Sequence, residues 1–117
     1  MSEGEFMRLL NTSGVAEAAK YFEEGRRKDP KWLPLTEARM NRLGYRYLLT
    51  DRTDTAIELF KLNVTAHPES WNAHDSLGEA CAKAGDRENA IASYRKSLEL
   101  NPGNRNAAEK LAALEKE

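Results

Sequence analysis

The feature that most constrains this chain is an internal repeat, in which the same landmarks return 34 positions later. The repeated pairs are Leu43-Gly44 and Leu77-Gly78, Ala56-Ile57 and Ala90-Ile91, Phe60 and Tyr94, and Pro68 and Pro102. One offset accounts for every pair. A fixed period of this length predicts stacked copies of one small supersecondary unit, each of which buries its apolar face against the next.

Each unit begins with an amphipathic helix. Apolar residues follow the i, i+3, i+4, i+7 spacing of one helical face. The two matching sets are Met40, Leu43, Gly44 and Tyr47 within Glu37–Thr50, and His74, Leu77, Gly78 and Cys81. Glycine inside a helix costs ~1 kcal/mol relative to alanine, so its return predicts the close approach of a second helix. Small residues on that helix would be Ala56 and Ala90, with Phe60 and Tyr94 filling the space one turn later.

Short-range signals mark where the helices begin and end. The predicted N-cap residues are Thr36, Ser70, Asp86 and Asn104. They start helices at Glu37 and Trp71, a helix over Arg87–Leu100, and a last helix that reaches Lys116. Pro68 and Pro102 follow the second helices, because proline cannot continue a helix. In the last helix Ala107, Leu111 and Leu114 form the apolar stripe expected of a helix that shields the open end of a stack.

The first unit matches the repeat only in its second half, through Ala18, Tyr21-Phe22 and Pro30. Pro30 and Pro68 are 38 positions apart, which places an insertion at Lys31–Pro34. We therefore predict one all-α domain over residues 1–117. Its parts are a degenerate first repeat (1–34), a second repeat (35–69), a third repeat (70–103) and a capping helix (104–117).

Composition excludes several classes of function. A net charge of −1 with interspersed charges predicts no nucleic-acid partner. The densest basic run, Arg26-Arg27-Lys28, would complement the dipole at a helix C-terminus. No apolar run approaches the ~20 residues of a membrane span, which predicts no membrane partner. The single cysteine, Cys81, excludes a disulfide framework. We expect a soluble chain, cytoplasmic as given, and the compartment is left open.

These landmarks resemble the tetratricopeptide repeat (TPR), whose pattern is W-x2-L-G-x2-Y, then A-x3-F, then P. Leu77-Gly78, Ala90, Tyr94 and Pro102 fit this pattern well. Met40 and His74 stand where the family has tryptophan, and Cys81 replaces the tyrosine that Tyr47 keeps. The resemblance implies a right-handed helical solenoid of antiparallel helix pairs with a C-terminal capping helix.

The chain is also similar to the TPR tail of bacterial serine hydrolases of the β-lactamase/penicillin-binding type and of some esterases. The segments that carry this likeness are Gly14–Ala19, Leu43–Tyr45, Ala56–Val64, Asp75–Ala80 and Lys96–Pro102. It implies an accessory domain whose catalytic part is not in this chain. If the whole protein is an exported hydrolase, the location is periplasmic or secreted.

Catalytic patterns are weak throughout the sequence. His74 and Cys81 share a helical face, but seven residues separate them by ~10 Å along the axis, beyond hydrogen-bond reach. Ser76 follows Asp75 inside a helix, whereas a serine nucleophile sits on a strand-to-helix elbow. His67 is the other histidine, so no metal-ligand spacing exists. We predict no enzyme activity, no cofactor and no metal.

One polar residue on an apolar face, Asn63, lies between Leu62 and Val64. A buried amide without a partner costs ~1–3 kcal/mol. We therefore predict that Asn63 hydrogen-bonds backbone of the neighbouring connector. Trp32 and Trp71 lie in or beside connectors, and we interpret them as lids on the core, with docking anchors as the alternative.

The TPR resemblance implies that the first helix of each unit lines a concave groove. The groove positions would be Asn41, Tyr45, Leu48, Leu49, Asn72, Asp75, Glu79, Ala82 and Lys83. Carboxylates at Asp75 and Glu79 would repel an acidic peptide terminus, while Tyr45, Leu48 and Leu49 would suit a segment with apolar and basic groups. Alternatively, Leu48 packs against Tyr21 and Phe22 of the first unit.

The function predicted from these patterns is a non-enzymatic interaction module that binds a protein or peptide, including its own hydrolase domain. A structural role is the alternative, because an incomplete first unit could self-associate into a symmetric homodimer. The expected state is a monomer or a weak homodimer.

Overall fold

The computed structural model describes residues 2–116, and within that range the chain forms seven helices and no strand. Met1 and Glu117, the two ends of the predicted domain, lie outside the described residues. The helices are α1 (Glu3–Ser13), α2 (Val15–Lys28), α3 (Glu37–Leu49), α4 (Thr53–Ala66), α5 (Trp71–Lys83), α6 (Arg87–Leu100) and α7 (Arg105–Glu115). The prediction of an all-α helical repeat is confirmed.

The helices pack as successive hairpins. α1 packs on α2, α3 on α4, and α5 on α6, and α7 closes the stack by packing on α6. Successive hairpins meet where α2 contacts α4, α4 contacts α5 and α3 contacts α5. The resulting body measures 43 × 28 × 19 Å, the elongated form of a solenoid in which each unit touches only its neighbours.

All four predicted N-caps are confirmed. The side chains of Thr36, Ser70, Asp86 and Asn104 each accept a hydrogen bond, 3.2 Å long, from the backbone N–H three residues ahead. The predicted ends are close but not identical, since α3 ends at Leu49 and α7 at Glu115. At the end of α3 the backbone N–H of Thr50 donates to the carbonyl of Tyr47, only three residues back. The Thr50 hydroxyl donates to the carbonyls of Arg46 and Tyr47.

The two repeated glycines let a second helix approach closely, as predicted. A Cβ atom on Gly44 would lie 2.3 Å from Cε1 of Phe60, and one on Gly78 would lie 3.0 Å from Cε1 of Tyr94. The aromatic ring itself therefore fills the space that the missing side chain leaves. Ala56 and Ala90 are also fully buried, but the contact that requires glycine is made by the rings.

The degenerate first hairpin is joined to the second by a continuous apolar core. Phe6, Leu10 and Phe22 are buried in one cluster with Met40 and Leu43 of α3. Above this core Trp32 packs edge-on against Tyr21, with ring centroids 5.6 Å apart, as the predicted lid. The six-membered ring of Trp32 lies so close to Gly25 that any Cβ there would collide with it. Trp71 differs, since 40% of its surface is exposed.

The polar residues on the apolar faces have structural partners. His74 Nε2 lies 2.9 Å from the carbonyl oxygen of Pro68, and Cys81 is buried, which raises the pKa of its thiol. Asn63 Nδ2 donates to the carbonyl of Glu37 at 3.2 Å. The prediction for Asn63 was right about a backbone acceptor but wrong about its place. The acceptor is the first residue of α3, because α4 runs antiparallel to α3 and ends beside its start.

Candidate binding groove

Helices α3 and α5 lie side by side, and all nine predicted groove residues are on them. Two side-chain hydrogen bonds link these helices at this surface: Ser76 Oγ donates to Asn41 Oδ1 at 2.6 Å, and the Tyr45 hydroxyl donates to Glu79 Oε1 at 2.8 Å. A third link runs from Lys83 Nζ to the Leu48 carbonyl at 2.6 Å. We call this surface the α3–α5 face. Its polar groups are held in place before any ligand arrives.

Two carboxylates dominate the charge of the α3–α5 face. Asp75 accepts amide hydrogens from Asn104 at 3.2 Å and from Asn106 at 3.2 Å, both at the start of α7. Glu79 accepts from Tyr45. Among residues 2–116 neither carboxylate forms a salt bridge. The partners are neutral donors, so the negative charge of both groups is left uncompensated.

Tyr45 is the aromatic residue of the face. Its ring meets Phe60 edge-on, with centroids 5.2 Å apart. Burial is the main cause that raises the pKa of Tyr45 to about 12; the hydrogen bond with Ser76 opposes it, and Glu79 adds to it. The phenol is therefore neutral in the physiological range and acts as a hydrogen-bond donor to Glu79.

The other predicted groove residues differ in their exposure to solvent. Leu48 is only 2% exposed, so it does not line an open surface. It packs with Ala56, Phe60 and Ala80, and not with Tyr21 and Phe22 as the alternative proposed, because it points toward α4 and α5. Leu49 is 76% exposed, and Asn72, Ala82 and Lys83 are exposed as well. The Lys83 ammonium lies 3.4 Å from Asp51.

The structure contains a second open surface, between α1 and α3, that the sequence patterns did not predict. A cleft of about 230 Å³ runs between α1 and α3, lined by Met7, Leu35, Arg39, Arg42, Leu43 and Arg46. The 34-residue offset places its three arginines in register with Ala73, Ser76 and Ala80, which are all buried against the preceding hairpin. The 34-residue repeat therefore contains a signal for this surface. Three arginines occupy positions that hold small, buried residues in the next unit, which indicates that the interface between α1 and α3 is not closed.

The described residues hold no group of three or more His, Cys, Asp or Glu side chains arranged to bind a metal ion. None of the helices in residues 2–116 is long and apolar enough to cross a membrane.

Comparison with known proteins identifies the repeat. Residues 71–104 match the family model of the tetratricopeptide repeat. A comparison with curated protein sequences gives no significant match.

Solved structures resemble the whole fold. A point mutant of MamA superposes with a TM-score of 0.72 and 21% identity, covering 97% of this chain and 80% of that chain. The first TPR of Spaghetti (RPAP3), bound to an HSP90 peptide, gives 0.66 and 19% identity, covering 97% and 87%. An O-GlcNAc transferase mutant of Thermobaculum terrenum gives 0.65 and 19%, covering 96% of this chain and 21% of that enzyme. Residues 71–104 thus match the tetratricopeptide repeat, and the described chain has the all-α helical-repeat fold of these solved structures.

Proposed function

We propose that this chain is a non-enzymatic interaction module, and that its α3–α5 face binds a segment of a partner protein that carries apolar and basic side chains. No catalytic role is proposed for His74, Ser76 or Cys81. These three side chains are buried, and the first two are engaged in hydrogen bonds: His74 with the connector carbonyl of Pro68, and Ser76 with Asn41 of α3.

One observation carries the proposal: the carboxylates of Asp75 and Glu79 are held by neutral donors and lack a cationic partner within residues 2–116. A lysine or arginine of a bound segment would supply the missing charge. Leu49 lies four residues after Tyr45 at the end of α3, with 76% of its surface exposed, and it offers the apolar contact that such a segment needs. The cross-helix hydrogen bonds fix these groups in advance, which lowers the entropy lost on binding.

The comparison structures support peptide binding by this fold. The first TPR of Spaghetti (RPAP3) is bound to the peptide SRMEEVD, which ends in three acidic residues among its last four. The face proposed here carries carboxylates at its centre, so an acidic segment would meet repulsion there. The partner proposed for the α3–α5 face therefore has the opposite charge.

Fluorescence anisotropy with two labelled heptapeptides tests the proposal. One peptide alternates lysine with leucine, and the other alternates glutamine with leucine. We expect the lysine peptide to bind more tightly, and Asp75→Asn combined with Glu79→Gln to weaken it about tenfold. The matched control is Glu88→Gln with Glu109→Gln, which removes two exposed carboxylates from α6 and α7. If both double variants bind the lysine peptide as the wild type does, the α3–α5 face is not the site.

A second form of the proposal places the partner in the same protein. The likeness to the tails of serine hydrolases and esterases favours a catalytic domain as the partner. The match to one fifth of an O-GlcNAc transferase chain also shows this fold inside a longer enzyme. Isothermal titration of this chain with a purified hydrolase domain of the same protein tests this form. The absence of heat on mixing at each of two well-separated temperatures would contradict it, because apolar burial makes the heat of binding depend on temperature.

The homodimer remains the structural alternative. It requires the exposed side of α1 and α2 to pair with a second copy. Light scattering over a wide range of concentrations separates the two functions. A mass of two chains would favour the structural role, whereas the 13.2 kDa mass of one chain at every concentration would exclude it.

A further inference from the structure

The cleft between α1 and α3 is built differently from the next interface along the stack. Where α5 meets the preceding hairpin, Ala73 and Ala80 are at most 1% exposed and Ser76 is 2% exposed. Where α3 meets the first hairpin, the same register carries Arg39, Arg42 and Arg46. Arginine is too long and too costly to desolvate for a closed helix–helix contact. The first hairpin therefore touches α3 through its core residues and leaves the arginine row open.

The charges of this row are only partly compensated. Arg39 pairs with Glu3 of α1 through its guanidinium. Within the described chain Arg42 and Arg46 have no acidic partner, and both side chains are exposed. They are four residues apart on one helix, so their Cα atoms are separated by ~6 Å along the axis. Two guanidinium groups at this spacing repel each other, and an anionic ligand would relieve that repulsion.

The apolar side chain that a ligand can reach in this cleft is Met7 of α1, which is partly exposed. Leu35 and Leu43 also line the cleft, but each is only 6% exposed and belongs to the core. The cleft volume of about 230 Å³ is below the ~300–1,000 Å³ typical of small-molecule pockets, but it is enough for a single large side chain. A phosphate group or a nucleic-acid backbone would use the arginines and leave Met7 uncovered. A peptide can contact both the arginines and Met7.

We propose that the cleft between α1 and α3 is a docking site for an acidic segment of a partner protein. Two carboxylates of that segment would pair with Arg42 and Arg46 on α3. The apolar side chain between them points to the opposite side of an extended segment and would pack on Met7 of α1. Residues i and i+2 of an extended segment lie ~6.6–6.8 Å apart and match the spacing of the two arginines. Arginine binds carboxylate with two parallel N–H···O bonds, which favours this pairing over a simple charge contact. This site is independent of the α3–α5 face and takes the opposite charge.

The test uses the full chain and a labelled, blocked heptapeptide in which glutamate alternates with leucine. Binding is followed by anisotropy at low ionic strength, and the site is mapped by amide shifts in ¹⁵N NMR spectra. The main variant is Arg42→Gln with Arg46→Gln, which removes both charges and keeps long side chains of high helix propensity. The charge-retaining variant is Arg42→Lys with Arg46→Lys. The matched control is Lys28→Gln with Lys110→Gln, two exposed cations elsewhere.

We expect the glutamine variant to bind the glutamate peptide about tenfold more weakly, with the control unchanged and the lysine variant in between. Shifts should centre on Met7, Leu43 and the arginine row. The proposal is overturned if the glutamine variant binds as the wild type does, or if a peptide with glutamine in place of glutamate binds equally well. It is also overturned if phosphatidylserine vesicles bind through the arginines while the peptide does not.

The outcome is separable from that of the α3–α5 face. Asp75→Asn with Glu79→Gln should leave the binding of the glutamate peptide within about twofold of the wild type, because these carboxylates belong to α5 and do not line the cleft. Failure of the lysine peptide would count against the α3–α5 face alone, and failure of the glutamate peptide against the cleft alone.

Discussion

Gly44 and Gly78 occupy the same register of α3 and α5, but the space for an added methyl group beside the facing aromatic ring is smaller at Gly44 than at Gly78. At Gly44 an added methyl group would lie 2.3 Å from Phe60, whose ring is fully buried beside Leu48, so the ring or the helix would have to shift. At Gly78 the distance to Tyr94 is 3.0 Å, so a shift of a few tenths of an ångström would make room. The two sites should therefore respond differently to the same substitution.

Gly44→Ala is expected to lower the free energy of unfolding by about 1–3 kcal/mol, since overpacking exceeds the ~1 kcal/mol that alanine gains in a helix. For Gly78→Ala the two effects nearly cancel, and the change should lie within about 1 kcal/mol of zero. Urea denaturation of both variants measures the difference. Equal losses at the two sites, or a gain at Gly44, would contradict the packing described for α3 and α4.

Tyr45 makes the free energy of unfolding fall at alkaline pH. Burial raises its folded pKa to about 12 from the ordinary value of 10. Between these two values the unfolded chain releases the proton while the folded chain keeps it. The contribution of Tyr45 is therefore fully present below about pH 10 and is lost as the pH rises toward about 12.

The check is urea denaturation of the wild type and Tyr45→Phe at about pH 8 and about pH 11. Phenylalanine cannot ionise, so the variant should lose less stability between the two pH values. Tyr94 is present in both proteins, and its pKa is raised mainly by burial, which the substitution leaves in place; Tyr45 adds a smaller increase that the variant loses. An equal loss in the two proteins would show that Tyr45 titrates in the folded chain as it does in the unfolded one.

At the scale of the element, the starts of the later helices were predictable because their signals are local. A capping side chain and the N–H that it accepts are three residues apart, so Thr36, Ser70 and Asn104 are readable from the sequence alone. The first helix is less clear from the sequence, because the first unit matches the repeat only in its second half. Its end depends on Gly14, whose φ of +94° allows the sharp turn into α2.

Asn104 connects the capping helix to two other elements. Its amide donates to Ser97 Oγ at 2.9 Å and to Asp75 Oδ2 at 3.2 Å, while its oxygen accepts from Ala107 N. Asn104→Ala removes the cap and both bridges, and it should destabilise the chain by about 1–3 kcal/mol. Hydrogen exchange should show that the amides of α7 lose protection before those of α4.

Asn106→Ala is the matched control for that experiment. It removes a second amide that donates to Asp75 but leaves the cap intact, and Asn106 is exposed. The control should change stability by less than about 0.5 kcal/mol. If Asn106→Ala releases α7 as readily as Asn104→Ala does, the bridge to Asp75 and not the cap holds the helix.

At the scale of the molecule, the sequence predicts the order of the stack better than the surface that it presents. In the structure Tyr45 and Glu79 meet between α3 and α5, whereas Asp75 is hydrogen-bonded to the start of α7. The register did not show that Leu48 is buried while its counterpart Ala82 is exposed. Burial depends on side-chain length and on which helices pass nearby, and a periodic pattern contains neither.

The stack also predicts how the chain unfolds. Phe22 is 1% exposed and lies in the core that joins the first hairpin to Met40 and Leu43. Phe22→Ala should lower the free energy of unfolding by about 3–5 kcal/mol. In a solenoid this loss of stability is concentrated in the hairpin that contains the side chain, here α1 and α2. Native-state hydrogen exchange should therefore show lower protection in α1 and α2 while α5 and α6 keep theirs. Phe60→Ala, at the centre of the stack, should instead lower protection from α3 through α6. A uniform fall in all seven helices after Phe22→Ala would mean that the chain unfolds as a single unit, and that the first hairpin is as firmly held as the others.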